Sequence, residues 1–254
     1  MKERGPKLSN KVIIAFVLAF ASLVAMIWAL GCGTVPPPTE GVRVAETESP
    51  TLPPVRVLYA LPSDADFNPE YQAAIREAVL DVQGWYANQL GEAIFRIGNP
   101  TPEICHLPGT ASYYKNEHGW GRVVSDIQPC APVGYSSPNQ VWVIYSDVPF
   151  DCEYSELGRG TSGVSILHKS DLEGILSGTT QCGYKRDKQG YVGGLAHELG
   201  HALGLEHPPG CDTGLETCDD SALMYLGFLN YPNTYLTDKD KQALATFGGE
   251  RNDK

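Results

Sequence analysis

Hydrophobic and polar positions divide the chain into three stretches. Val12 to Leu30 is an apolar run broken only by Ser22, preceded by Lys2, Arg4, Lys7 and Lys11. A positive lead followed by an apolar core reads as a signal peptide or a membrane anchor. Its 19 residues at helical rise just cover a bilayer core, and the positive end stays inside. From Gly33 to Pro54 the sequence is rich in Pro, Thr, Glu and Val with no apolar period, which predicts an extended tether. Regular patterning begins at Val55. Val55 to Ala60 has strand composition, and Pro69 to Leu90 places Tyr71, Ala74, Ile75, Ala78, Val79, Val82 and Tyr86 at helical spacing. Ala93 to Ile97 predicts a second strand, Val141 to Ser146 a buried third and Gly163 to His168 a shorter fourth. Tyr113 to Gln128 is weakly helical, and a Pro/Gly/Ser-rich loop continues to Asn139. Thr237 to Asp240 has the form of a capping box opening a helix through about Phe247, with Gly248 and Gly249 as the stop. The expected organisation is an export or anchor segment at 1–31, a tether at 32–54 and one α+β domain at 55–254, of ordinary size for a single core.

Composition changes this picture in two ways. With 19 Lys+Arg against 30 Asp+Glu the net charge is -11, and loss of the first 31 residues would leave 15 basic against 29 acidic. That opposes the basic footprint needed for phosphate backbones, so nucleic acid is not an expected partner. The seven cysteines are the second point. Ala29-Leu30-Gly31-Cys32 resembles the lipobox of bacterial lipoproteins, although Ala29 stands where a Leu is usual. The resemblance implies lipidation of Cys32 and a membrane-tethered, extracytoplasmic domain; an uncleaved anchor or plain secretion would also export it. Setting Cys32 aside leaves Cys105, Cys130, Cys152, Cys182, Cys211 and Cys218, an even set suited to disulfides in an oxidising compartment. Spacing does not choose among the pairings, but Cys211 and Cys218 are close enough to staple one loop.

The strongest chemical signal is Ala196-His197-Glu198-Leu199-Gly200-His201-Ala202-Leu203-Gly204-Leu205-Glu206-His207. On a helix, His197 and His201 share one face on successive turns, at a separation one zinc ion can bridge. Glu198 sits where its carboxylate reaches a metal-bound water without being a ligand. Gly204 allows a left-handed turn that brings His207 round as a third ligand. Three imidazoles leave a fourth position for water, the coordination of a catalytic rather than a structural zinc. Three of the chain's 6 histidines fall within these few residues, and a packing helix has no reason to collect them.

This run resembles the metzincin clan of zinc endopeptidases, and within it the matrixin branch. The resemblance is firm over 191–225 and looser over 55 to about 248. It implies a zincin-like catalytic domain with a mixed twisted sheet, a long N-terminal helix, a zinc helix, a Met-turn and a C-terminal helix. Met224, in Ser221-Ala222-Leu223-Met224-Tyr225, is the implied Met-turn residue. Leu226 stands where astacins and serralysins carry a zinc-reaching Tyr, so no tyrosinate ligand is implied. The sixteen residues between His207 and Met224 hold Cys211, Cys218, Asp212, Glu216, Asp219 and Asp220, and look like a stapled insertion. No cysteine-switch propeptide is expected.

The implied chemistry is peptide hydrolysis, with zinc as Lewis acid and Glu198 as general base and then acid. An extended peptide is expected to add to an edge strand, for which Gly163, Val164, Ser165 and Ile166 are the candidates, with Leu226, Phe228 and Tyr231 walling a specificity pocket. His106, His118 and His168 are scattered and predict no second zinc. Calcium stays open, since no Asp-x-Asp-x-Asp-Gly run occurs. The expected protein is a monomeric, surface-tethered zinc endopeptidase. The rival readings are a non-catalytic zinc- or partner-binding lipoprotein and a zinc amidase of cell-wall material.

Overall fold

The structure, a computed structural model, describes residues 54–115, 119–133, 140–149, 158–178 and 186–247. Cys32 with the apolar run and tether, His118, Cys152 and Cys182 lie outside the described residues. Among the described residues no helix is long and apolar enough to cross a membrane.

β1 (Pro54–Leu61) is followed by α1 (Pro69–Leu90), β2 (Arg96–Ile97), β3 (Glu103–His106), α2 (Ala111–Tyr114), α3 (Gly119–Asp126) and β4 (Val141–Ser146). Then come β5 (Gly158–Thr161), β6 (Val164–Leu167), α4 (Lys169–Ser177), α5 (Lys188–Ala202) and α6 (Asp238–Thr246), with 3₁₀ turns at Cys211–Thr213 and Leu226–Asn230. The sheet order is β2-β1-β4-β6-β5, with β3 also pairing β1. All pairs are parallel except β5 with β6. The domain is thus α+β with a mixed sheet.

Strand alternation sorts the core into two layers. Val55, Val57, Tyr59 and Leu61 of β1 and Val141, Val143 and Tyr145 of β4 face α1, α4, α5 and α6. Leu58, Ala60, Trp142 and Ile144 face the other way, onto Tyr114, Val123, Val124 and Ile127. Covered on both faces, β4 is buried at every position, which explains its unbroken apolar run. Asn68 caps α1 by accepting from the Glu70 amide at 2.8 Å, and Gly91 ends it at φ +78°. The capping box of α6 is present: the Thr237 amide donates to Asp240 at 2.9 Å, and the Asp240 amide to the Thr237 hydroxyl at 3.2 Å.

Several elements differ from the sequence reading. The second strand is only Arg96–Ile97, because its pairing with β1 stops at Pro54 and Val55. β3, β5 and α4 carry no clear pattern and were not expected. Gly163–Ile166 is not an edge: Gly163 is in the turn at φ +86°, and Val164, Ser165 and Ile166 are buried on a strand paired on both sides. The edge is β5. Two disulfides join described residues: Cys105–Cys130 ties β3 to the segment after α3, and Cys211–Cys218 closes a loop.

Candidate active site

The site is built on α5 and on three reversals of the chain. Asp187 caps α5 by accepting from the Gly190 amide at 2.8 Å. At the other end Gly204 takes φ +92°, its amide donates to His201 O at 2.9 Å, and the Leu205 amide donates to Gly200 O at 2.9 Å. Those two bonds form a Schellman motif, and the left-handed position is one only glycine takes at no steric cost. The chain is thereby turned so that His207 faces the helix beside His197 and His201. One nitrogen from each of the three rings lies within 4.8 Å of the others.

The Nδ1 atoms determine what the ring can bind. His197 Nδ1 lies 2.8 Å from Leu223 O, and His201 Nδ1 lies 2.9 Å from Leu205 O. Carbonyl oxygens only accept, so both Nδ1 atoms carry the proton and donate it. His207 Nδ1 donates to Asp212 Oδ1 at 2.5 Å. Each neutral ring then presents an Nε2 lone pair, and His201 Nε2 lies 3.1 Å from His197 Nε2 and 3.2 Å from His207 Nε2. These are not hydrogen bonds between neutral rings, because neither atom has a proton to give. Adding a proton is opposed: burial pulls His197 down to about 3 and also lowers His201. Three converging lone pairs suit a cation. For zinc at 2.0–2.1 Å from each nitrogen, tetrahedral geometry puts the nitrogens roughly 3.3 Å apart, close to the spacing found. The donor set therefore fits zinc.

Met224 is fully buried beneath this centre, and a Cβ on Gly200 would lie 2.4 Å from its sulfur. The same turn supplies Leu223 O to His197. Tyr225 packs its ring 5.7 Å from His207, edge to face.

Glu198 is positioned by β5. A Cβ on Gly158 would meet Glu198 Cγ at 3.0 Å, and one on Gly160 would lie 2.2 Å from Glu198 O and 2.5 Å from His201 Cβ. The Gly-Arg-Gly alternation strips one face of the strand so that its backbone lies against α5. Burial pushes the Glu198 carboxyl up to about 7, opposed by the Gly160 amide and Arg159.

Two hollows share Gly158, His197 and Glu198. One is lined also by Leu167, Asp171, Arg186, Gly194 and Phe228. The other is lined by Trp120, Arg159, Gly160, Thr161, His201 and His207. Phe228, 5.2 Å from His197, lines the first, and Leu226 is exposed. Tyr231 does not: it is buried against Trp85 and its hydroxyl donates to Asp81 at 2.7 Å, because the 3₁₀ turn points it into the core. His168 is a core residue whose burial pulls it down to about 3. The sequence reading missed Gly158, Gly160, Asp171, Arg186 and Asp212. Only the Gly-x-Gly alternation offered a signal.

No protein-family model matches the chain, and no curated protein does. Among solved structures it is similar to wild-type OgpA from Akkermansia muciniphila, at 19% identity and TM-score 0.50, covering 76% of this chain and 60% of that one. It is likewise similar to catalytically inactive OgpA in complex with an O-glycopeptide (glycodrosocin) substrate, at 18% identity and TM-score 0.52, covering 78% and 60%. A more distant likeness is archaemetzincin from Methanopyrus kandleri, at 12% identity and TM-score 0.42, covering 76% and 94%. The chain thus spans about 60% of the length of the OgpA structures it matches, and what it shares with them is the fold.

Proposed function

We propose that the chain is a zinc-dependent endopeptidase with Glu198 as its general base and acid. The observation that carries this reading is the convergence of one nitrogen from each of three imidazole rings beside a buried carboxylate in an open cleft. His197, His201 and His207 would hold the metal, and zinc bound there would supply a Lewis acid and an acidified water, with a pKa lowered toward about 7. Glu198 would take the proton and return it to the leaving amine, its side chain packed against β5 at Gly158. Among the described residues β5 pairs with β6 alone, which makes it the strand to which an extended peptide would add its backbone, and Phe228 walls the hollow for a neighbouring side chain. A peptide substrate is supported by that free edge and by the likeness to OgpA, which is seen with an O-glycopeptide. Assignment to the matrixin branch rests on the sequence motif and on Tyr225 beside Met224. The extracytoplasmic, membrane-tethered location rests on the first 32 residues and the cysteine count.

In the full chain, Glu198→Gln should leave zinc content and thermal melting unchanged and lower cleavage of a mixed peptide library by about 10²–10⁴-fold. Unchanged turnover would exclude Glu198 from the chemistry. Failure of the wild-type chain to bind zinc would exclude the metal centre itself.

A further inference from the structure

The three rings of the metal centre are not anchored alike. His197 and His201 each donate to a backbone carbonyl, at 2.8 and 2.9 Å, and those carbonyls are fixed by the Met-turn and the Schellman motif. His207 has neither turn behind it. It follows Gly204 by three residues, is more exposed than the buried His197, and donates to a side chain, Asp212, at 2.5 Å. The Asp212 carboxylate is itself largely exposed. A solvated carboxylate on a free loop would hold a ring poorly, because the entropy of fixing two mobile groups cancels most of the attraction.

Here the loop is not free. Asp212 follows Cys211 directly in a 3₁₀ turn, and Cys211 is buried and bonded to Cys218 seven residues on. The Leu215 amide reaches back across the loop to donate to Gly210 O at 2.9 Å, and the Cys218 amide donates to Leu215 O at 2.9 Å. The loop's far end is tied down as well, since Asp219 accepts from the Ser221 hydroxyl at 2.9 Å and the Tyr235 hydroxyl at 2.6 Å. Asp212 is therefore the one carboxylate of this acidic loop whose backbone is held within reach of a metal-ligand ring among the described residues.

We propose that Asp212 is the positioning residue for the third zinc ligand, and that the Cys211–Cys218 disulfide is the brace that keeps it there. This rests on the zinc reading above. A carboxylate on the distal nitrogen fixes a ligand's orientation and raises its basicity, and loss of such a partner typically lowers metal affinity 10–100-fold. The disulfide then acts on the metal at one remove, through the direction of a single carboxylate.

The test is zinc affinity of the full chain, kept in mild detergent, by competition with a chromogenic chelator, together with the visible spectrum of the Co²⁺-substituted protein. Asp212→Ala should lower zinc affinity about 10–100-fold and change the Co²⁺ spectrum. Asp212→Asn keeps an accepting oxygen and should lie between Ala and wild type. The Cys211→Ser/Cys218→Ser double variant should lose as much as Asp212→Ala, and adding Asp212→Ala to it should cost little more, because the two changes remove one device. The metal-free melt of Asp212→Asn should match that of wild type. Wild-type affinity in Asp212→Ala, or full additivity of the two changes, would overturn the proposal and leave the zinc centre standing. Absence of zinc binding by wild type would overturn both.

Discussion

Placing a methyl group at Gly160 tests whether β5 is seated on the zinc helix. The Cβ of Gly160→Ala would lie 2.2 Å from Glu198 O, 3.0 Å from its carbonyl carbon and 2.5 Å from His201 Cβ. Two of those three atoms are backbone, so no side chain can swing aside, and the strand must lift from α5. Overpacking of this kind costs about 1–3 kcal/mol, or roughly 2–12 °C of melting temperature for a domain of this size. Lifting the strand also loosens its packing against Glu198 and moves the edge to which substrate would add. Peptide cleavage should therefore fall in kcat as well as rise in KM, while zinc content holds. Gly158→Ala is the internal control: its Cβ would meet Glu198 Cγ at 3.0 Å and Ile166 O at 3.3 Å, contacts a side chain and a small shift can relieve. It should cost less than 1 kcal/mol in melting and several-fold less in turnover. Wild-type melting and turnover in Gly160→Ala, or a larger loss in Gly158→Ala, would refute the seating of β5 on α5.

Further outcomes follow from the same geometry. Tyr231→Phe removes a hydroxyl that donates to Asp81 at 2.7 Å, and should destabilise by about 1.5–3 kcal/mol in a denaturant melt with cleavage unchanged; altered side-chain preference would return Tyr231 to the specificity pocket. Asp171 is fully buried, and burial raises its carboxyl from 3.8 to about 8. A folded-state value above the unfolded one means that its stabilisation is complete below about pH 4 and is lost as pH rises through about 8. Asp171→Asn should flatten that decline in a series of melts between pH 5 and 8; an unchanged slope would show that the carboxyl is ionised in the fold. Stripping the metal with a chelator should lower the melt, by about 2.7 kcal/mol for protein held at free zinc 100 times its dissociation constant. Identical melts before and after verified removal of zinc would mean that the triad does not bind it in the folded state.

The motif around His197 was legible because helix geometry converts a spacing of four into a shared face, and because the left-handed turn at Gly204 is a local demand that a sequence can display. α1, β4 and the capping box of α6 were legible for the same reason: each is set by near neighbours in the chain. β5 was not. Its Gly-Arg-Gly-Thr sequence has no apolar alternation, since the face toward α5 holds glycine so that backbone can meet backbone. The misplaced edge had a signal that the sequence reading passed over. Val164 to Leu167 is nearly continuously apolar, which is the mark of a strand covered on both sides rather than of a rim.

The anchors of the metal ligands were hidden for a more general reason. Two of the three are backbone carbonyls, of Leu223 and Leu205, and a carbonyl belongs to every residue alike, so no residue type marks it. Only its direction matters, and that direction is made by the bonds of each turn: Gly204 and Leu205 onto His201 and Gly200 in one case, and Tyr225 and Gly227 onto Ala222 O in the other. The third anchor is a side chain: the chain turns at Pro208–Cys211 after His207, but the partner of His207 Nδ1 is the Asp212 carboxylate, and a side chain on a loop needs the loop held. This makes the centre vulnerable at places that touch no ligand. A change at Ala222 that prevents the Tyr225 and Gly227 amides from meeting its carbonyl should rotate Leu223 O away from His197 Nδ1 and loosen the first ligand, just as opening the disulfide should loosen the third.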